Sequence, residues 1–523
     1  MDPAIYQQRW HKLREGKADP EALGQLSRQV AFSFVDKYFQ SGNYVSAYID
    51  LLCEMATFFA KTDLNNIASS ALFGIIVEKL CDDFEDLPVE VYSRVMCQVV
   101  TCCRGVPAGK SLDRQLARFG ISSFERLYKR AVATHTHRYR YKGNRSPRLI
   151  VLLSRVTLGA DVAILSVMIQ RLKHLFPEAD MLIVGNRKLH GLFGGNPELR
   201  LRELSYARRG GLFERFSSWH ATLEILREET ADLNTDDVLL IDPDSRISQL
   251  GVLPVTDRDN YLFVNTRDHV LSASGKCVAE WTNEWMDGVF GEADFCYPTV
   301  WVPGSAMKAA QANVAALRAA GARRVIAVNF GAGHNPRKRV GLEFEKRLLR
   351  TLVAIPGTVV VLDRGFGADE IYHSTMLAAH MKTCGFPCVQ VPFAKADFPS
   401  ISHGVVAVDS SIGEMAALIA HSDEYIGYDS ACQHIAAAAR TPTLTIFAGS
   451  NNKNFIRRWS ACGETDCRIV HVNTLTDPEH VGLNEIISRI MQERAERTPK
   501  SPSRYKEVRR SRKPEATEET SAT

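Results

Sequence analysis

Ile412 to Ser450 read IGEMAALIAHSDEYIGYDSACQHIAAAARTPTLTIFAGS. The stretch parses as helix, buried strand, short polar loop, helix, buried strand. The loop Asp429-Ser430-Ala431 lies between the strand Tyr425–Tyr428 and the Ala-rich helix carrying His434. Such a loop sets a helix N-terminus beside the carboxyl end of a parallel strand. Free backbone N–H groups and the positive end of the helix dipole then face a crevice. In open α/β sheets that crevice takes phosphate-bearing ligands. Ser430 and His434 add a hydroxyl and an imidazole at the same mouth. An ordinary strand-to-helix turn with an Asp cap is the alternative.

Outward from this stretch the same texture repeats. Upstream strands are expected at Leu149–Val156, Met181–Gly185, Asp237–Ile241 and Tyr261–Asn265. After Pro303 the pattern restarts, with a connecting helix over Ala306–Ala320 and strands at Arg324–Asn329, Thr358–Leu362, Cys388–Val391, Val405–Val408 and Leu444–Phe447. Strands alternating with amphipathic helices imply right-handed βαβ units and parallel sheets. Residues 1–143 differ: apolar side chains recur at three and four positions, the signal of amphipathic helices. His135–Arg148 reads as a basic linker, and 498–523, almost free of apolar side chains, as a disordered tail.

The expected organisation is a helical domain (1–143), a Rossmann-like acceptor domain (144–304), a Rossmann-like donor domain (305–497) and the tail. The fold class is α/β, two doubly wound domains in a GT-B architecture behind an all-helical N-terminal domain. Any two-domain nucleotide-using enzyme of similar layout is the alternative, because architecture alone does not decide function.

Composition narrows the classes. The chain has 523 residues, 45% of them hydrophobic, and a net charge of only +4, which gives no footprint for a nucleic-acid binder. No apolar run is long enough to span a membrane, and the polar N-terminus carries no secretory signal. A cytoplasmic protein is expected, with contact to the inner membrane possible only at its periphery, through basic tail residues Arg504 to Lys513. The 12 cysteines are scattered. Cys384/Cys388 and Cys462/Cys467 are spaced more loosely than a zinc ribbon, so reduced thiols and no metal are expected.

Four further loops follow strands. Leu158-Gly159-Ala160-Asp161 lacks the G-x-G-x-x-G fingerprint. Asp161 opens a helix, as an N-cap or as a carboxylate able to take a proton from an attacking hydroxyl. Gly331-Ala332-Gly333-His334-Asn335-Pro336-Arg337-Lys338-Arg339 joins a Gly-rich turn to cations suited to a diphosphate; a solvated basic loop is the plain alternative. Asp363 to Glu370 offers carboxylates to ribose hydroxyls, or is a surface turn. Asp242-Pro243-Asp244-Ser245-Arg246 contains Asp-x-Asp, open to capping, acceptor contact or metal. Asp242 and Arg246 are its candidate acceptor residues, Arg246 toward an anionic group.

These residues resemble glycosyltransferase family nine, the bacterial ADP-heptose:lipopolysaccharide heptosyltransferases. The family's G-E-L-A-A-L-I-A helix stands here as Gly413 to Ala420. Its D-S/T-G-x-x-H-x-A-A-A stands as Asp429-Ser430-Ala431, His434 and Ala436 to Ala438. The x-P-x-x-x-x-F segment is Pro442 to Phe447. The L-G-D turn and F-P-x-A are matched by Leu158 to Asp161 and Phe176 to Ala179, and the G-A-x-x-x-x-K-R-W region by Gly331, Ala332, Lys338 and Arg339. Three departures stand out: Ala431 replaces a glycine, Ala160 intervenes before Asp161, and Val340 replaces a tryptophan. The likeness covers about 148 to 495.

The resemblance implies a metal-independent, inverting transfer from a nucleotide sugar, an ADP-sugar favoured, with no cofactor. Asp161 would be the general base. Lys338, Asp429, Ser430, Ala431 and His434 would hold the donor diphosphate, and Asp369 or Glu370 the ribose. The acceptor would be a cell-surface glycan, lipid-linked or protein-linked. The helical domain would have a partner of its own, unknown. Two rivals remain: a transferase using another nucleotide sugar, and a non-catalytic nucleotide-sugar binder with a helical interaction domain.

Overall fold

The structure is a computed structural model that describes residues 2–16, 19–78, 80, 86–141, 146–207, 209–256, 260–267, 275–333, 335–394, 398–476 and 482–496. The expected tail and His334 lie outside the described residues.

The N-terminal region is helical, as expected. It comprises α1 (Pro3–Glu15), α2 (Pro20–Ser41), α3 (Ser46–Met55), α4 (Thr62–Ala71, running on into a π-helical turn, Leu72–Val77), α5 (Asp86–Arg104), α6 (Lys110–Arg118) and α7 (Phe124–Thr136). Boundaries follow local chemistry. Asp2 and Asp19 cap α1 and α2, each with proline in the first turn, and Gly42 ends α2 in the left-handed region at φ 65°. The apolar faces meet around Trp10, Leu23, Leu52, Val95 and Leu116, all fully buried. His135, expected to begin a linker, instead lies in the last turn of α7.

The first sheet holds β1 (Leu149–Leu153), β2 (Asp180–Gly185), β3 (Leu199–Glu203), β4 (Val238–Asp242) and β5 (Tyr261–Phe263), in the order β3-β2-β1-β4-β5 with every pair parallel. The five apolar side chains of β1 are all 3% exposed or less, as a strand covered on both faces requires. At about 1.5–3 kcal/mol each on burial, they anchor the layer. After β1 the chain makes a helical turn (Leu158–Ala160), a π-helical turn (Asp161–Leu165) and then α8 (Ser166–Leu175). The extra Ala160 is taken up by this wide turn. The domain closes with α9 (Leu212–Glu229) and α10 (Val278–Phe290).

Helix α11 (Gly304–Ala319) leads to the second sheet. Its strands are β6 (Arg324–Asn329), β7 (Thr358–Asp363), β8 (Cys388–Pro392), β9 (Gly404–Asp409), β10 (Glu424–Tyr428), β11 (Thr443–Phe447) and β12 (Cys467–His471). All its pairs are parallel, in the order β12-β11-β10-β6-β7-β9-β8. Helices α12 (Leu342–Val353), α13 (Ala368–Thr383), α14 (Ile412–His421), α15 (Ala431–Ala438), α16 (Lys453–Arg458) and α17 (Leu483–Ala495) cover it. Ser411 and Glu414 form a capping box at the start of α14. The expected architecture is therefore present: two doubly wound parallel sheets behind a helical domain. The edge strands β3 and β12 were not anticipated.

The strand order reverses between β1 and β4 in the first sheet and between β6 and β10 in the second, where β8 and β9 are also exchanged at the far edge. Crevices at the carboxyl ends of strands at such reversals are where α/β domains bind ligands. The loops singled out in the sequence leave these strands.

Candidate active site

At the second reversal, Asn329 ends β6 and Asp429 follows β10. Lys338 Nζ donates to Asp429 Oδ2 at 2.6 Å, and Gln433 Nε2 to Asp429 Oδ1 at 2.7 Å. Asp429 is thus gripped on both oxygens before the first turn of α15. Ser430 Oγ lies 3.4 Å from Asn329 Oδ1, and Asn329 Nδ2 donates to Asp363 Oδ2 at 2.6 Å. Burial raises the Asp363 pKa to about 6. His434, one turn into α15, is 4% exposed. Burial pushes its pKa down to about 4, the Asp429 carboxylate opposing and Lys338 reinforcing the shift. The imidazole is therefore neutral at physiological pH.

Glu370 joins two loops of this crevice, accepting from Gly333 N at 3.2 Å and Phe366 N at 2.7 Å. Asp369 beside it is exposed. Arg339 pairs with the buried Glu345, which also accepts from Tyr428 Oη at 3.1 Å, and lines a small cavity with Gly331, Asp363 and Glu370.

The first reversal is built differently. Asp161 is 1% exposed. Its carboxylate accepts from Arg155 N at 2.7 Å and Ser154 Oγ at 2.9 Å, which closes the turn after β1. Asp242 is fully buried and accepts from Tyr261 Oη and Ser245 N, each at 2.7 Å. Burial raises its pKa to about 6, with bonds from Ser248, Tyr261 and Ser245 opposing. Asp244, also fully buried, takes Arg267 Nε and Nη2 at 3.1 Å each, and Thr266 Oγ1 at 2.8 Å. Arg155 reaches the same carboxylate at 3.7 Å. Arg246 is half-buried beside this cluster.

This loop is strained: Asp244, Gln249 and Leu250 have φ of 59°, 50° and 56°. Gly251 comes next at φ 82°, where a Cβ would meet the Phe263 ring at 2.7 Å. The helical domain holds the loop in place. Arg130 donates to Gly251 O at 3.0 Å and Val252 O at 3.2 Å, His135 bonds Leu250 O at 2.7 Å, and Tyr92 lies under the Arg267 guanidinium at 4.9 Å.

The two reversals face each other and touch. A Cβ on Gly159 would meet His434 Cδ2 at 2.9 Å and Ala431 Cα at 3.2 Å, so only glycine lets this turn approach the N-terminus of α15. Arg458 donates to Thr266 O at 2.6 Å across the cleft.

This opposition of a carboxylate turn to a cation-lined helix N-terminus coincides with a sequence match. Residues 402–471 match the model of glycosyltransferase family 9 (heptosyltransferase). Over 104 residues the chain is 35% identical to lipopolysaccharide heptosyltransferase 3 of Escherichia coli. That alignment spans 20% of this chain and only 25% of the relative's length. Among solved structures, the chain is similar to the family 9 glycosyl transferase of Veillonella parvula, with 16% identity and a TM-score of 0.48 over 66% of this chain and 97% of that one. It is likewise similar to E. coli heptosyltransferase WaaC with ADP, with 14% identity and a TM-score of 0.43 over 66% and 99%.

The matched segment contains Asp429, Ser430, Ala431 and His434, and the fold brings Lys338 to Asp429 from 91 residues away. Asp161 is brought opposite, through Gly159. Glu370 sits as a staple between loops and Asp369 on the surface. Asp242 lies beneath the Asp244 cluster. Sequence reasoning missed Gln433, Asn329, Arg155, Arg267, Arg458 and Trp459. Asn329, at the end of the predicted strand β6, was the one a switch-point argument had in reach. No helix among the described residues is long and apolar enough to cross a membrane. No group of three or more metal-ligating side chains is found among them.

Proposed function

We propose that this protein is an inverting glycosyltransferase that moves a sugar, heptose favoured, from an ADP-sugar to a cell-surface glycan or lipopolysaccharide-type acceptor. The carrying observation is the apposition at Gly159, which sets the Asp161 turn against the N-terminus of α15 and its Lys338–Asp429 pair. The family 9 match over residues 402–471 supports the donor half of this reading.

The diphosphate takes Lys338 from Asp429 and lies on the free N–H groups at Ser430 and Ala431, with neutral His434 beside it. The ribose lies toward Asp369 and Glu370. The acceptor hydroxyl gives its proton to Asp161 as its oxygen attacks the anomeric carbon. The bond from that carbon to the diphosphate oxygen breaks on the opposite face. Charge developing on the leaving ADP meets Lys338 and the helix dipole, donors already in place before the reaction. Because Asp161 is enclosed, the acceptor reaches it when the Leu158–Asp161 turn moves off α15. Arg246 lines the acceptor side of the opening, Asp242 being buried behind it as a support of the loop, and transfer takes place at the inner face of the membrane.

Asp161→Asn tests the assignment. Asparagine still accepts from Arg155 N, so folding and ADP binding are expected to persist. Sugar release from ADP-heptose, to acceptor or water, is expected to fall by about 100-fold or more. Unchanged turnover rules out Asp161 as the base. Absence of any nucleotide-induced rise in the unfolding midpoint rules out the donor site.

A further inference from the structure

We propose that Trp459, with Arg155 and Arg458, is a positioning latch that couples the nucleotide end of the cleft to the acceptor end. The first arm of the test rests on the nucleotide reading above; the second does not.

The segment from α16 to Trp459 touches both ends. Toward the nucleotide end, the Trp459 carbonyl accepts from Gln433 Nε2 at 3.2 Å. The same Nε2 holds Asp429, whose other oxygen holds Lys338. The Trp459 ring stands edge-on to His434 at 6.3 Å, and Lys338 Nζ lies 5.7 Å from the Phe455 ring. Toward the acceptor end, the Arg155 guanidinium sits 5.6 Å over Trp459, donates to Thr266 Oγ1 at 2.8 Å and lies within reach of Asp244. Arg458, 3% exposed, donates to the Thr266 carbonyl.

A buried guanidinium bonded to a carbonyl of the other domain resists separation. Opening the cleft breaks this charge-assisted bond. Gln433 makes that bond answerable to the ligand. A diphosphate that draws Lys338 off Asp429 leaves Gln433 as that carboxylate's remaining donor. Gln433 then fixes the Trp459 carbonyl, and with it the ring under Arg155. Both ends thus bear on one residue, so that a ligand at either end biases the same contacts.

The chain carries its own reporter of closure. Cys277, at the start of α10, and Cys462, three residues past Trp459, meet in one small buried cluster across the domains and are free thiols. Diamide oxidises such a pair to a disulfide and is itself reduced to the hydrazine, taking up both thiol protons.

The full-length protein and its Arg458→Gln, Arg458→Lys and Trp459→Ala variants are compared in two arms, ADP affinity first and thiol cross-linking second, with Cys277→Ser as the blank. ADP affinity by calorimetry is expected to fall about tenfold in Arg458→Gln and Trp459→Ala, although Arg458 faces Thr266 and not the nucleotide. Without nucleotide, the diamide rate of Cys277–Cys462 disulfide formation is expected to fall about tenfold in the same two variants, and to recover partly in Arg458→Lys. Wild-type cross-linking rates in both variants overturn the latch. Slowed cross-linking with ADP affinity within twofold of wild type overturns the coupling. A wild type that binds no ADP fails the nucleotide reading, and the cross-linking arm then decides the latch alone.

Discussion

The two strand-order reversals are the same piece of topology made rigid in opposite ways. At the donor reversal each support comes from inside the domain. Gln433 sits one turn into the helix that Asp429 opens, Asn329 ends the neighbouring strand, and Glu370 staples two adjacent loops. At the acceptor reversal the loop takes three non-glycine residues through the left-handed region, and Arg130, His135 and Tyr92 of the helical domain brace it from outside. The difference teaches that an appended domain can serve as the backing of a binding loop.

The strongest way to break the contrast is Arg267→Met. It strands Asp244, fully buried, without its bidentate partner. A loss of about 3–5 kcal/mol is expected by urea unfolding, since an uncompensated buried charge remains. Hydrogen exchange is expected to rise over 243–253 and in α5 together, while ADP binding persists. Loss confined to the loop breaks the claim that the helical domain braces it. Lys338→Ala probes the donor side. ADP affinity is expected to drop about 10- to 100-fold, the worth of a charge-assisted bond, with stability changed by less than about 1 kcal/mol because Gln433 still holds Asp429.

A pH comparison is smaller. His434 has its pKa lowered from 6.5 to about 4 by burial. Its neutral form therefore contributes stability that is full above 6.5 and is lost as pH falls toward 4. Between pH 7 and pH 5 this amounts to about 2 kcal/mol. Asp242 and Asp363, raised to about 6, act with the opposite sign, their contribution being lost as pH rises through 6. Both carboxylates remain in His434→Gln, so the difference in urea midpoint slope between wild type and variant isolates the imidazole. Identical slopes refute the assignment. Smallest is Ala431→Gly, which opens room at the N-terminus of α15: ADP affinity is expected to rise less than threefold, at a stability cost of about 0.5–1 kcal/mol.

Legibility in the sequence tracks the same divide. The donor signature could be read because Asp429, Ser430 and His434 are contiguous with a buried strand and an Ala-rich helix. β3 and β12 went unread because edge strands alternate; LRLRE and CRIVH carry polar side chains to solvent and lack the apolar run of a central strand. The helices of residues 1–141 were legible by their period. Their docking was not, since Arg130 and His135 act on backbone carbonyls about 115 to 122 residues away, and a carbonyl has no sequence signature. Arg155, Arg267 and Arg458 stand outside every motif read in the sequence, and only the fold brings them to Thr266 and Asp244. Gln433 was passed over inside the motif itself, because nothing in the sequence marks an amide one turn along an Ala-rich helix as the partner of Asp429.

The wide turn at Asp161–Leu165 has a consequence for how the loop after β1 can change over generations. A π turn is slack wound into a helix: it stores one residue without re-indexing the turns beyond it. Loop length before α8 can thus lengthen or shorten by a codon while Ser166–Leu175 keep their seats in the core. Deleting Ala160 would draw in that slack and swing the carboxylate by about 100°, one helical step, leaving the downstream helix unmoved.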